Sequence, residues 1–325
     1  MQVNLIRQSI SARMLICAVA LVPALACAQG YPNKPVKLIV PYVPGGNSDS
    51  ITRVIAESLS RALSGQFVVE NKAGAGGAIA AESVAKAPAD GYMLLMATPP
   101  QLAILPHIQK VAYDPLRDFS PISNLGNNPF VLGVHQSTGA RTLKELIELA
   151  RAQPGRLTYA GANGSIPHLS AAMLASRAGV EMMHVPYKGG AAAVLALVAG
   201  EVQMYLGNFS DIVPYSKGGR IVMLGVSSEK RDRHFPDVPA IAETFPGFRT
   251  VTWNGLVAPA GTPRDIIDRL AAESQKATKE TVVMKRLEAM GVDAYGSTPA
   301  DFADTIRRDF EIYRDVVKTI GLKQG

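Results

Sequence analysis

The sequence predicts an α/β protein with two lobes and largely parallel β-sheets. Short apolar segments alternate with amphipathic helical segments along nearly the whole chain, which is typical of βαβ units. Without a 28-residue leader, 297 of the 325 residues remain, more than the ~250 that one hydrophobic core usually serves. The turn-rich segments 121–129 and 247–259 are where we expect the chain to pass between lobes. We therefore predict one domain from residues 29–124 plus 250–325, and a second from residues 125–249.

The N-terminus has the pattern of a secretory signal peptide. Arg7 and Arg13 precede a short apolar run, and Ala26-Cys27-Ala28 supplies small residues for cleavage. The run is shorter than the roughly 20 residues that cross a bilayer. We predict that residues 1–28 are a signal peptide and that the protein is periplasmic. Acylation of Cys27 is the alternative, although Ala24 stands where lipoprotein signals usually carry Leu.

Composition argues against cofactor, metal and nucleic-acid chemistry. Cleavage after Ala28 removes both cysteines, and the histidines are scattered without metal-ligand spacing. The remaining 31 basic and 27 acidic residues leave a net charge of +4, and the densest charged run, residues 229–234, mixes signs. We expect no cofactor, no metal and no nucleic-acid partner.

The elements follow in order from hydrophobic spacing. Val36–Tyr42 is the first predicted strand, and Ser48 or Asp49 is expected to cap the helix that follows it. The later predicted strands span residues 67–70, 92–97, 130–134, 157–160, 181–185, 202–206, 221–226 and 251–257. The later predicted helices span residues 78–86, 143–150, 167–178, 191–199 and 263–278. A final helix begins at Thr298-Pro299, and we expect its apolar face to cover a sheet.

Glycine-rich turns that open helices are the candidate binding elements. Such turns can hold a carboxylate, because helix N-termini present unpaired N–H groups and a partial positive charge. The first turn contributes Val43, Pro44, Gly45, Gly46, Asn47 and Asp49, and the second contributes Gly161, Ala162, Asn163, Gly164, Ser165 and His168. A third turn carries Tyr187 and Lys188, whose ammonium group is a candidate partner for a carboxylate. The alternative is that these turns are only tight connections, for which glycine is the usual residue.

Seven separated motifs cover nearly the whole mature chain. They are Tyr31-Pro32-x-Lys34-Pro35-Val36-x-Leu38-Ile39-Val40-Pro41; Gly45-Gly46-x-x-Asp49-x-x-x-Arg53; Val68-Val69-Glu70-Asn71-Lys72-x-Gly74-Ala75-Gly76-Gly77; Asp90-Gly91-Tyr92; Val185-Pro186-Tyr187-Lys188-Gly189; Pro236-Asp237-Val238-Pro239; and Ala258-Pro259-Ala260-Gly261-Thr262-Pro263. In these motifs and in their order the chain resembles the Bug-type extracytoplasmic solute receptors of tripartite tricarboxylate transporters.

The resemblance implies a type II periplasmic-binding-protein fold, with two lobes, a hinge and a ligand cleft between the lobes. It also implies that the loops matching 43–49 and 161–165 grip a ligand carboxylate, and that residues near Thr98, Gln101 and Asn208 complete the pocket. A two-component transmembrane transporter or a sensor is the implied partner, and we expect a monomeric receptor. The segments 97–101 and 204–208 depart from the family's usual residues, which leaves the ligand's distal group open. The candidates for ligand selection are the side chains of Thr98, Gln101, Tyr205, Asn208 and Trp253.

Two functions from different classes follow from these observations. The first is a receptor that captures a small carboxylate: a mono-, di- or tricarboxylate, an aromatic acid or an acidic amino acid. The second is a secreted α/β enzyme that acts on a similar acid. No Gly-x-Ser-x-Gly turn surrounds Ser165, so Ser165 and His168 are poor candidates for a hydrolase pair. We therefore expect no enzyme activity.

Overall fold

The structure is a computed structural model that describes residues 30–322. The predicted signal peptide, its cleavage and acylation of Cys27 thus lie outside the described residues. The strands are β1 Val36–Val40, β2 Phe67–Asn71, β3 Met93–Ala97, β4 Phe119–His135, β5 Thr158–Gly161, β6 Met183–Pro186, β7 Met204–Asn208, β8 Ile221–Val226, β9 Val251–Pro259 and β10 Asp293–Ala294. The α-helices are α1 Asn47–Ala62, α2 Ala78–Ala85, α3 Leu105–Ile108, α4 Leu143–Ala152, α5 Ile166–Ala178, α6 Gly190–Ala199, α7 Phe209–Ser216, α8 Arg264–Ala277, α9 Thr281–Glu288 and α10 Pro299–Thr319. Within this range, no helix is both long enough and apolar enough to cross a membrane.

Parallel strands form the centre of each lobe. In the first lobe β1 lies between β2 and β3, parallel to both, and β9 continues the sheet antiparallel to β3. In the second lobe β5 lies between β6 and β7, again parallel to both. Apolar clusters pack on both faces of each sheet, which explains why β1 is apolar at almost every position. The predicted α/β class is confirmed.

The long strand β4 belongs to both lobes. Its first part pairs with β9 and its last part pairs with β7 and β8. The Pro-, Asn- and Gly-rich stretch 121–129 is therefore strand rather than irregular linker, and breaks in its register near Pro121 and Asn124 accommodate these residues. Ser227 is hydrogen-bonded to both segments that carry the chain between the lobes. Its N–H donates to Phe130 O in β4 at 2.8 Å, and its carbonyl accepts from Thr250 N, just before β9, at 3.0 Å.

The C-terminal helix connects the two lobes. Thr298 caps α10 as predicted, accepting from Asp301 N at 3.1 Å. Phe302 and Ile306 pack into the core of the first lobe, whereas Tyr313 and Val317 pack with residues of the second lobe. The helix thus covers more than the single sheet we expected, because 21 residues of α-helix extend about 30 Å.

Two details of the helices differ from the prediction. The predicted cap of α1 is wrong: Gly46 is the N-cap and uses no side chain, while Ser48 and Asp49 lie inside the first turn. Helices α3, α7 and α9 were not predicted from the sequence. They have four to eight residues, too few to show a clear apolar repeat, and tertiary packing stabilises such short helices.

Candidate functional site

In the first lobe, the loop before α1 is held by the carboxylate of Asp49. This buried side chain accepts from Gly45 N at 2.9 Å, from Asn71 Nδ2 at 2.9 Å and from two nitrogens of Arg53 at 3.0 Å. Burial acts to raise the pKa of Asp49, but the hydrogen bonds from Arg53, Gly45 and Asn71 outweigh it and lower the pKa below its ordinary value. Asp49 therefore fixes the shape of the loop, and its oxygens are engaged within the chain.

Thr98 and Gln101 form a buried hydrogen-bonded ring with Tyr42. Gln101 Nε2 donates to Tyr42 OH at 3.1 Å, Tyr42 OH bonds Thr98 Oγ1 at 2.8 Å, and Thr98 Oγ1 donates to Gln101 Oε1 at 2.7 Å. Asn71 joins this ring to the Asp49 loop, because its Nδ2 also donates to Tyr42 O at 3.0 Å. Burial raises the pKa of Tyr42, against the opposing effect of the Gln101 and Thr98 hydrogen bonds, so the phenol stays protonated.

A chain of buried side-chain hydrogen bonds joins the start of α1 to β4 and β9, the crossing strands through which the chain passes between the lobes. Ser48 Oγ donates to Asn254 Oδ1 at 2.9 Å, Asn254 Nδ2 donates to Asn128 Oδ1 at 3.0 Å, and Asn128 Nδ2 donates to Gly291 O at 2.9 Å. Asn254 lies in β9 and Asn128 lies in β4. The helix terminus is thus oriented by the two strands that connect the lobes.

In the second lobe, the loop 161–165 joins β5 to α5 and lies against α3. Gly164 has a φ of +68°, which glycine adopts without strain. Ser165 is the N-cap of α5, its hydroxyl accepting from His168 N at 3.4 Å. A Cβ atom at Gly164 would lie 2.8 Å from Ile108 Cδ1 in α3. This loop therefore faces the element that follows Thr98 and Gln101.

Two stacked histidines support the same loop. The rings of His168 and His184 lie 3.7 Å apart at an angle of 11°. His168 Nδ1 accepts from Gly164 N at 3.1 Å, and His184 Nε2 donates to Gly161 O at 2.8 Å. Burial, with a smaller effect of His184, lowers the pKa of His168 to about 4. His168 is therefore neutral at pH 7, as its acceptor role requires.

Acid should destabilise the protein through His168. Above its ordinary pKa of 6.5, both the folded and the unfolded states hold this imidazole neutral. Between 6.5 and about 4 only the unfolded state takes up the proton, so the free energy of unfolding falls as pH falls, by up to about 3 kcal/mol from this group. We expect His168→Asn, whose amide oxygen can accept from Gly164 N, to lose less stability than the wild type between pH 7 and 4.5 in urea unfolding followed by circular dichroism. Equal losses would contradict the assignment.

Residues from both lobes line a small cavity between the starts of α1 and α7. Asn47 is the first residue of α1, and Asn208 is the N-cap of α7. Both line a cavity of about 20 Å³, together with Ser210 of α7 and with Asn128 and Pro129 of β4. Two helix N-termini thus meet over a floor made by a crossing strand.

Other predicted site residues lie elsewhere. Asn163 and His168 line a different and larger cavity, of about 760 Å³, beside α5 and the end of α10. Tyr187 OH donates to Glu201 at 3.3 Å, and Lys188 is exposed. The exposed residues Val43 and Pro44 and the half-buried Ala162 line none of the cavities described above. The predicted set is therefore divided between the interlobe cavity, the supporting networks and the outer surface.

The two aromatic residues expected to select the ligand are buried. Trp253 is fully buried, packs edge-on against Phe302 and donates through its indole N–H to Asp309 at 2.8 Å. Tyr205 is 1% exposed, and its hydroxyl donates to Asp211 at 3.3 Å. Both contacts lie within the chain, as core packing requires.

Several residues of the site have no simple signal in the sequence. Asn128, Asn254 and Ser210 belong to no recognisable motif, and only the polar character of 124–128 within an apolar region hints at a buried network. Asn71, Arg53 and Asp49 were within matched motifs, but the hydrogen bonds that join them are revealed only by the fold. Among residues 30–322, no group of three or more His, Cys, Asp or Glu side chains is placed to hold a metal ion.

The sequence matches the family described as "Tripartite tricarboxylate transporter family receptor" over residues 51–322. A protein in the tcbD-tcbE intergenic region of Pseudomonas sp. strain P51 is 38% identical over 290 residues, which are 88% of this chain and 86% of that protein. BugT of Bordetella pertussis is 33% identical over 313 residues, covering 95% of this chain and 96% of BugT.

Solved structures share both sequence and fold with this chain. The periplasmic binding protein BugD has a TM-score of 0.71 at 29% identity, covering 91% of this chain and all of that one. Rpa4515 of R. palustris with adipate has a TM-score of 0.75 at 33% identity, covering 90% and 99%. MatC of Rhodopseudomonas palustris with bound malate has a TM-score of 0.71 at 30% identity, covering 88% and 100%. The two-lobed periplasmic-binding-protein fold is thereby confirmed.

Proposed function

The chain belongs to the tripartite tricarboxylate transporter receptor family, a family of solute-binding receptors, and from this membership we propose that it captures a small carboxylate between the starts of α1 and α7. The observation that carries the proposal is the shared cavity of Asn47 and Asn208, one from each lobe. The adipate and malate named for Rpa4515 and MatC support this ligand class, because both are dicarboxylates.

The chemistry of recognition rests on backbone groups. The first N–H groups of α1 and α7 have no partner within their helices, and each helix adds a partial positive charge at that end. A carboxylate oxygen accepts from such groups without an arginine. Asp49 and the Asn128–Asn254 pair keep the α1 terminus in place, so little ordering is needed when the ligand binds.

Capture requires the lobes to move. A space of about 20 Å³ holds roughly one water molecule and is too small for a dicarboxylate. The lobes must therefore separate to admit the ligand and must close on it with contacts that the open form lacks. We place the hinge at the crossing strands around Ser227, because the backbone passes from one lobe to the other there.

A periplasmic location and a membrane partner follow from the same proposal. A periplasmic receptor delivers its ligand, and we infer that the closed form is recognised by a two-component transmembrane transporter or by a sensor. We further infer that the receptor acts as a monomer and leaves its ligand chemically unchanged, in contrast to a secreted enzyme that acts on a small acid.

A thermal-shift screen tests the ligand class. The mature protein is mixed with mono-, di- and tricarboxylates, aromatic acids and amino acids. A ligand at 100 times its Kd should stabilise the folded form by about 2.7 kcal/mol. Mass spectrometry then checks that the stabilising compound is recovered intact. Turnover of that compound would favour the enzyme, and the absence of any stabilising carboxylate would contradict the proposed function.

A further inference from the structure

The side-chain amide of Asn208 is oriented by its neighbour Asp211. Asn208 Nδ2 donates to Asp211 Oδ2 at 3.3 Å, and Tyr205 OH donates to the same oxygen at 3.3 Å. A carboxylate accepts hydrogen bonds and donates none, so the amide nitrogen rather than the amide oxygen must face Asp211. The buried Tyr205 helps to fix the position of Asp211, because the ring of Tyr205 is packed against Gly207, where an added Cβ atom would clash with it.

The amide oxygen of Asn208 is consequently left for the cleft. Asn208 makes no side-chain capping bond to α7, and among the described residues no hydrogen bond to its Oδ1 is found. Asn208 Oδ1 is also absent from the described side-chain atoms that are fully buried without a hydrogen-bond partner, so this unpaired oxygen is accessible to solvent. Asn208 also lines the cavity that it shares with Asn47 and Asn128. The second lobe therefore offers the ligand an acceptor beside the N–H groups of α7.

We propose that Asn208, held by Asp211, selects carboxylates that carry a hydrogen-bond donor, such as a hydroxyl or an ammonium group, near the carboxylate. The inference rests on the proposed function and narrows its ligand class. The N–H groups at the helix starts satisfy the carboxylate, and a donor on the ligand satisfies Asn208 Oδ1. A ligand without a donor leaves that oxygen desolvated and unpaired, or places a second acceptor against it.

Asp211 acts as a positioning residue. If Asp211 is replaced by Asn, the new amide can donate to Asn208 Oδ1, and the Asn208 amide can turn its nitrogen toward the cleft. The cleft then offers a donor instead of an acceptor. The preference for hydroxylated ligands should fall even where overall affinity is retained, which a merely structural role would not produce.

The experiment measures a selectivity ratio by calorimetry on the purified mature protein. Matched pairs differ only by a hydroxyl: succinate with malate, and phenylpropionate with phenyllactate. In the wild type, the hydroxylated member of the pair that binds should bind about tenfold more tightly, the value of about one hydrogen bond. In Asp211→Asn the ratio should fall to about one. Asn208→Ala, which removes the acceptor and keeps the carboxylate of Asp211, should do the same.

Asp265→Asn is the matched control, since Asp265 also lies in the first turn of a helix and is exposed. It should keep the wild-type ratio. A wild-type ratio near one in every pair, or a tenfold ratio that survives in both Asp211→Asn and Asn208→Ala, would overturn the selection by Asn208 while leaving carboxylate capture intact. Failure of every carboxylate to bind would instead reject the proposed function, and this inference with it.

Discussion

Replacing Trp253 by alanine is expected to lower the free energy of unfolding by about 3–5 kcal/mol, the usual cost of truncating a large buried aromatic side chain. Trp253 is fully buried in β9 and packs edge-on against Phe302 of α10. Its indole N–H binds Asp309, which is 5% exposed. Truncation would leave a cavity and would remove the indole donor from the buried Asp309, which would keep only its longer ion pairs with Arg249 and Arg308.

Urea unfolding measures this loss. It is followed by circular dichroism, because the variant has no tryptophan whose fluorescence could report unfolding. Trp253→Phe is the milder control, because it retains most of the packing and removes the indole N–H. The ligand found in the screen should bind Trp253→Phe with nearly wild-type affinity. If Trp253→Ala kept wild-type stability but lost affinity for the ligand, Trp253 would instead have the ligand-selecting role that the sequence suggested.

Replacing Gly164 by valine is expected to weaken ligand binding by about 10–100-fold. The φ of +68° disfavours a β-branched residue, and its Cβ atom would lie 2.8 Å from Ile108 Cδ1. Overpacking of this kind typically costs about 1–3 kcal/mol. Ile108 lies in α3, which follows β3 of the first lobe along the chain, and its side chain packs with the core cluster that contains α5. The cost therefore falls on the contact between the loop 161–165 and α3, which we propose is needed for closure on the ligand.

Gly179 provides a matched control, because its φ is +61° and a Cβ atom added there would meet no neighbour within 4 Å. Gly179→Val carries the same backbone strain and should lower stability without the specific loss of affinity. Combining Gly164→Val with Ile108→Ala should restore part of the affinity in calorimetry. Equal affinities for Gly164→Val and the wild type would show that the loop 161–165 takes no part in closure.

Much of the fold was predictable because local patterns carried it. The parallel strands and the longer helices follow from hydrophobic spacing, as Val36–Val40 and Pro299–Thr319 illustrate. Composition pointed to 121–129 as a passage between lobes but did not predict its strand structure, since Pro, Asn and Gly disfavour strands locally. Pairing with β9 over the same residues overrides that local preference.

The sequence named the loops of the candidate site, but it did not predict which partners their side chains would bind. Asp49 was a candidate ligand contact, yet it is occupied by Gly45, Arg53 and Asn71. Thr98 and Gln101 likewise bind each other and Tyr42. Whether the predicted residues contact a ligand stays a prediction. A polar residue in a glycine-rich turn can support the turn or face the ligand, and these roles have the same sequence pattern.

By itself, the sequence determined the α/β class, the order of the elements and the family. These depend on residue spacing and motif identity, both of which are properties of one continuous chain. The tertiary structure alone decided that Asn47 and Asn208 line one cavity, that Asn254 orients α1 and that Asp211 turns the Asn208 amide. The physical reason is that hydrogen bonds depend on distances of about 3 Å between atoms, and residues far apart in the chain reach such distances only when the sheets and crossing strands have folded.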